Sequence, residues 1–159
     1  MKTLRRYNAP HTNYFITCVA FQRRRVLLND TNLFWDSWGD TRPYAWVILP
    51  DHFHIVVNSG TEGISDYMHL FKTNYSRLFR RRFGPGRIWQ NRFWDHLIRN
   101  ETDLNRHLDY IHYNPVKHML TGNPFEYEHS SLRIFYEQGL YQRDWGVMKD
   151  IALDGDYGE

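Results

Sequence analysis

Leu49-Pro50-Asp51-His52-Phe53-His54-Ile55-Val56-Val57 is the stretch that decides the fold. Two apolar runs, Tyr44 to Leu49 and Ile55 to Val57, flank a Pro-Asp break. Proline and aspartate favour a turn, so the runs read as neighbouring antiparallel strands. In an extended strand, side chains two residues apart leave the same face, about 6.6 Å apart along the backbone. His52, His54 and Val56 therefore share one face, while Phe53, Ile55 and Val57 fill the other. Two imidazoles on one face are part of a metal site. A His-x-His pair alone is more often chance than chemistry, so a third ligand must come from elsewhere.

Working outward, 159 residues suffice for one domain with a substantial core. The single cysteine, Cys18, excludes an internal disulfide scaffold and fits a reducing cytoplasm. No apolar run approaches the roughly 18 residues a membrane span needs. The start, Met1 to Arg6, is basic but lacks the apolar segment of a signal peptide. The charge is lopsided: residues 1–120 carry 17 Lys and Arg against 10 Asp and Glu, and residues 121–159 carry 3 against 8. Of the 20 basic residues 16 are arginine, whose flat fork suits phosphate. The expected organisation is one domain over residues 1–146 followed by an acidic tail, 147–159.

Asn13 to Phe21 reads as a first strand, and Gln22 to Arg25 as a basic loop. Leu27 to Ser37 suggests a short helix capped by Asn29, Asp30 or Thr31 and ended before Gly39. From Ile64 the period turns helical: Ile64, Tyr67, Met68, Phe71, Tyr75, Leu78 and Phe79 make one buried face, and Gly84-Pro85-Gly86 stops it. Ile88 to Arg99 reads as a further strand. Asn100 then caps a helix that packs Leu104, Leu108 and Ile111 inward and should kink or end near Pro115. A short segment, Ser131–Gln138, follows. Strand, helix, strand, strand, helix, strand, helix predicts an α+β fold, an antiparallel sheet with flanking helices of ferredoxin-like kind.

On that last helix Tyr110 and Asn114 stand four residues apart on one flank, off the inward stripe. If the helix packs on the histidine strand, Asn114 can supply a third ligand oxygen and Tyr110 can sit beside the metal. Two imidazoles and an amide oxygen make an open site suited to Mg²⁺ or Mn²⁺. Tyrosine, with an ordinary pKa near 10, needs such help to act as a nucleophile. Tyr113 lies on the same helix but points nearly opposite to the core stripe, so helical geometry favours Tyr110.

Trp46 to His54, Trp89-Gln90-Asn91-Arg92-Phe93-Trp94-Asp95-His96-Leu97-Ile98-Arg99 and Asp109-Tyr110-Ile111-His112-Tyr113-Asn114-Pro115-Val116-Lys117-His118 carry a resemblance. They are similar to the motifs of the REP-associated tyrosine transposases (RAYTs), bacterial relatives of the single-tyrosine HUH transposases. Arg5-Arg6-Tyr7, Tyr14 to Thr17, Ser130-Ser131 and Asp144-Trp145-Gly146 extend it over nearly all of residues 5–146. The resemblance implies the HUH endonuclease core. It also implies a metal-dependent nuclease and strand transferase that cuts single-stranded DNA beside a palindromic, REP-type hairpin. Cutting through a 5′-phosphotyrosine leaves a free 3′-hydroxyl. By motif match His52, His54 and Asn114 are metal ligands, Tyr110 is the nucleophile, and Mg²⁺ or Mn²⁺ is the cofactor. Such short relatives imply a monomer without a membrane, acting in the bacterial cytoplasm on nucleoid DNA. Met119 departs from the family pattern, which has glycine after His118, and so alters the helix exit.

For DNA phosphates the expected contacts are Arg23, Arg24 and Arg25 in the first loop and Arg77, Arg80, Arg81 and Arg82 on the long helix. Arg92, Arg99 and Lys117 stand nearer the site. Trp89, Phe93 and Trp94 are candidates to stack on bases, with a core role for Trp94 equally open. His69, His96, His107, His112 and His118 are expected off the metal site, as surface or core-edge histidines. The alternative from another class is a hairpin-binding regulator that has lost cleavage. A zinc hydrolase is disfavoured, because no third His, Cys or acid stands at motif spacing.

Overall fold

The computed structural model describes residues 10–147 and 150–159; the Arg5-Arg6-Tyr7 motif lies outside them. The elements follow the expected order: β1 (Asn13–Val19), α1 (Thr31–Trp38), β2 (Ala45–Ile48), β3 (His52–Asn58), α2 (Ile64–Phe83), β4 (Trp94–Leu97), α3 (Glu101–Lys117) and α4 (Leu132–Glu137). The four strands form one antiparallel sheet in the order β2-β3-β1-β4.

Alternation along the central strands sorts the core into two layers. Tyr14, Ile16 and Cys18 of β1 and Phe53, Ile55 and Val57 of β3 face α1 and α2, meeting Phe34, Trp38, Phe71 and Tyr75. The layer is largely aromatic, with Phe53 edge-on to Phe34 at 5.0 Å and to Phe71 at 5.5 Å. Deleting such a fully buried ring costs about 3–5 kcal/mol. Phe15 and Val56, with Ala45 and Val47 of β2, face the opposite way, against Leu108, Tyr110 and Ile111 of α3. The histidines of β3 lie in this second layer.

Local signals set the helix ends. The Asp30 carboxylate accepts from Leu33 N, which selects Asp30 as the α1 cap. Asn100 Oδ1 caps α3 by accepting from Asp103 N, and the Asp103 carboxylate accepts from Arg99 N. Helix α3 continues two residues past Pro115, because Asn114 and Pro115 are buried and the last turn is held by His118 N donating to Asn114 O.

The fourth strand is shorter than the pattern predicted. Trp89 only bridges to Ala20, and regular pairing starts at Trp94. Lys72 Nζ takes the carbonyls of Gln90, at 2.7 Å, and Asn91, so this stretch leaves the ladder. The outer edge of β2 is covered by residues 129–131: Ile48 N donates to His129 O, Ser131 N to Trp46 O, and Trp46 N to Ser131 Oγ.

Candidate active site

His52 and His54 are buried on the α3 side of β3, with ring centroids 5.0 Å apart. A neighbour fixes the tautomer of each. His52 Nδ1 lies 2.7 Å from Asp51 Oδ1, which only accepts, so Nδ1 carries the proton. The Thr17 hydroxyl donates to Tyr157 O and must accept from His54 Nδ1, 2.7 Å away. Both rings thus present Nε2 to the space under α3, the arrangement that outer partners impose on metal-binding histidines. Asp51 is held in turn by Arg23 Nη1 at 3.2 Å. Gln22 and Arg23, at φ 54° and 51°, are both in the left-handed region, so a strained turn aims this guanidinium.

Helix α3 brings Tyr110, Asn114, Lys117 and His118 to the same space, and Glu159 enters from the end of the chain. Its Oε1 lies 3.3 Å from His52 Nε2, 2.8 Å from His54 Nε2, 3.1 Å from His118 Nε2 and 3.0 Å from Asn114 Nδ2. Lys117 Nζ pairs with Glu159 Oε2 and donates to Tyr110 Oη at 3.0 Å. The Tyr110 ring is 5.0 Å from the His54 ring and stacks on Tyr157 at 3.7 Å and 9°. Asn114 Oδ1 is buried with no hydrogen-bond partner among the described residues. An unpaired buried amide oxygen is costly, by about 1–3 kcal/mol. Rotating the amide would turn that oxygen toward the point that Glu159 Oε1 occupies. Three imidazole nitrogens and an orphaned amide oxygen around one anion-filled point are a donor set that fits a divalent cation.

The electrostatics agree. Burial works to raise the Glu159 pKa, but hydrogen bonds from His118, His52 and His54 hold it well below the carboxylate range. With Nδ1 of His54 protonated, the short contact to Glu159 needs a second proton on Nε2. Burial opposes that proton and pushes His54 down to about 4 even though Glu159 works to raise it, so without the carboxylate the ring is neutral and Nε2 is bare. Tyr110 is pushed up first by burial and then by Glu159. The carboxylate that fills the cluster therefore also opposes the phenolate.

Comparisons with known proteins place the chain in a family. A family model described as transposase IS200 like matches residues 39–113, which hold the His52/His54 pair and Tyr110. A REP-associated tyrosine transposase of Haemophilus influenzae is 33% identical over 162 residues, covering 90% of this chain and 92% of its own length. The chain belongs to the REP-associated tyrosine transposase family. A member from Escherichia coli is 37% identical over 115 residues, covering 70% of this chain and 68% of its own. The solved structure of a REP-associated tyrosine transposase bound to a REP hairpin superposes with a TM-score of 0.85 at 29% identity, covering 100% of this chain and 98% of that one.

Within this transposase fold His52, His54, Asn114 and Tyr110 converge as the sequence predicted. Tyr113 does not; its hydroxyl donates to Asp150 and its ring lies against Gly146. His118 was expected off the site and stands in it. The signal was present, since Tyr110, Asn114 and His118 follow at steps of four on one helical flank. It supplies the third imidazole that the sequence reading found missing. Glu159, Tyr157 and Thr17 carried no local signal.

The other histidines are structural neighbours. His112 is buried between Ser131 Oγ and Tyr141 Oη, and His69 is exposed. His96, Asp103 and His107 cluster, with the imidazoles stacked at 4.5 Å and 19°. His96 Nε2 donates to the Asp103 carboxylate at 2.9 Å, and His107 Nδ1 donates to Asp103 O at 2.8 Å, so both rings serve the α3 cap. All ten basic residues assigned to DNA are exposed. Trp89 is 5% exposed and belongs to the core, which removes it as a base-stacking platform, while Phe93 and Trp94 are half-buried. Among the described residues no helix is long and apolar enough to cross a membrane.

Proposed function

We propose that this chain is a metal-dependent nuclease and strand transferase that cuts single-stranded DNA beside a REP-type hairpin through a 5′-phosphotyrosine on Tyr110. The observation that carries the reading is the ring of His52, His54, His118 and Asn114 around one point, with Tyr110 alongside. The hairpin-bound relative supports the substrate class.

A divalent ion held by His52, His54 and Asn114, with His118 beside them, would supply Lewis-acid polarisation of the scissile phosphate. Mn²⁺ accepts an imidazole-rich set more readily than Mg²⁺, which prefers oxygen. Asp51 and Thr17 keep the histidines in the ligating tautomer. Lys117 holds Tyr110 Oη and stabilises its phenolate form. Tyr110 Oη releases its proton to solvent and bonds to phosphorus as the bond from phosphorus to the 3′ oxygen breaks, and the departing oxygen takes a proton from solvent to become the free 3′-hydroxyl. Joining runs the same exchange backwards with another 3′-hydroxyl.

One observation favours the second reading, a hairpin-binding regulator that does not cut: Glu159 fills the ligand cluster and Tyr157 covers the Tyr110 ring. Labelled hairpin oligonucleotides with single-stranded flanks, incubated with Mn²⁺, Mg²⁺ or EDTA and run on a denaturing gel, separate the two. The cutting reading expects a metal-dependent covalent band that survives Tyr113→Phe and disappears in Tyr110→Phe and His52→Ala. A tight gel shift without an adduct under any metal condition supports the regulator.

A further inference from the structure

The turn that ends α3 fixes where His118 stands. Met119 N donates to Val116 O and Leu120 N to Pro115 O, both at 2.9 Å, with Met119 in the left-handed region at φ 56°. This pair of bonds is a Schellman motif, which satisfies the last helical carbonyls and holds His118 at the helix end. One turn beyond Asn114, the His118 side chain shares the flank of Tyr110 and Asn114. Its ring lies 5.0 Å from the His52 ring at 72°, much as His52 lies 5.0 Å from His54 at 83°. Its Nε2 is 3.1 Å from Glu159 Oε1, between the 2.8 Å of His54 and the 3.3 Å of His52. Three imidazoles, two from a strand and one from a helix, therefore aim the same atom at one point.

The three differ in how they are held. His52 and His54 are buried, with Nδ1 anchored on Asp51 and Thr17. The His118 side chain is 31% exposed, at the rim of the cluster. A rim ligand can close on an ion without disturbing the packed strand beneath, so its contribution depends on the ion. Imidazole suits zinc and the other late transition metals, manganese takes it less readily, and magnesium keeps oxygen ligands and its own waters. A third imidazole therefore adds much for Zn²⁺, less for Mn²⁺ and little for Mg²⁺.

We infer that His118 is itself a metal ligand and the residue that sets the selectivity of the site against Mg²⁺. The inference rests on the reading of His52, His54 and Asn114 as ligands and adds a donor that decides which ion they hold. It is tested by calorimetry with the chlorides of Zn²⁺, Mn²⁺ and Mg²⁺ on the full chain carrying Glu159→Ala, which removes the carboxylate from the cluster. In that background His118→Ala is expected to weaken Zn²⁺ binding about a hundredfold, Mn²⁺ about tenfold and Mg²⁺ by less than about twofold. Pulsed electron paramagnetic resonance of the Mn²⁺ form should lose one directly bound nitrogen. His69→Ala, on the exposed side of α2, is the control and keeps the parent affinities. Melting temperatures without metal should match the background, because the bonds of the helix-ending turn are all backbone. If His118 serves only to hold Glu159, its removal changes nothing here and the inference falls. It falls equally if the three ions lose affinity by the same factor, which marks a general loss of site structure. Ion binding that needs His54 but not His118 overturns this inference alone. Affinities indifferent to both His54→Ala and His118→Ala remove the cluster as an ion site, and the metal-dependent reading with it.

Discussion

Met119 leaves α3 at φ 56° with 90% of its surface exposed. The left-handed region costs a side-chain-bearing residue about 1–2 kcal/mol, and no packing of Met119 offsets it. Met119→Gly should therefore stabilise the chain by about 0.5–1 kcal/mol after the added freedom of the unfolded glycine is subtracted, read as a higher denaturant midpoint. A lower midpoint would mean that the methionine makes contacts worth more than the strain. His112 gives a second residue-scale test. Both ring nitrogens are taken up by Ser131 and Tyr141, and burial pushes its pKa down to about 3. The unfolded ring protonates near pH 6.5, whereas the folded ring resists until about 3. Stability from this group is thus complete above about 6.5 and falls as the pH drops toward 3. Wild type should lose about 2–3 kcal/mol more than His112→Gln between pH 7 and about 4.5, measured by urea unfolding at each pH. Parallel losses in the two proteins would remove His112 as the titrating group.

At the scale of elements, residues 150–159 are the segment whose position matters most to the site. Tyr157 lies flat on Tyr110, and Glu159 sits among the ligands. Gly158 lets them reach there: it has φ 77°, and a Cβ at this position would run into the Trp94 side chain. Gly158→Ala should dislodge the segment, because the strain and the clash act together. The expected result is Mn²⁺ binding tightened by about tenfold or more in calorimetry, together with faster proteolysis of the terminal residues. Unchanged Mn²⁺ affinity would show that Glu159 does not compete with the ion. The strands and helices themselves were largely readable in advance. Alternation exposed β3, the apolar stripe from Ile64 to Phe79 exposed α2, and Asn100 marked the start of α3. The Ile88 to Arg99 pattern overstates β4 because it contains no sign that Lys72, on another element, takes the Gln90 and Asn91 carbonyls.

At the scale of the whole molecule, the candidate ligands come from β3 and α3, elements that the chain connects only through α2 and β4. An ion bound by both should stabilise the folded state against unfolding by mass action. With Mn²⁺ at about a hundred times its Kd, the melting temperature should rise by about 5–10 °C, and this rise should vanish in His54→Ala. An equal rise in that variant would place the ion elsewhere. The sequence by itself determined the α+β class, the shared face of His52 and His54, and the common flank of Tyr110 and Asn114. Each follows from the period of a single strand or helix, which is a local property of the backbone. Only the tertiary structure decided that α3 lies over the histidine face of β3, and that Thr17 and Asp51 fix the ring tautomers. It alone placed Lys117 on Tyr110 and carried Glu159 into the ligand cluster. Those placements depend on which apolar faces bury one another across the chain, and no periodicity within one element encodes that choice.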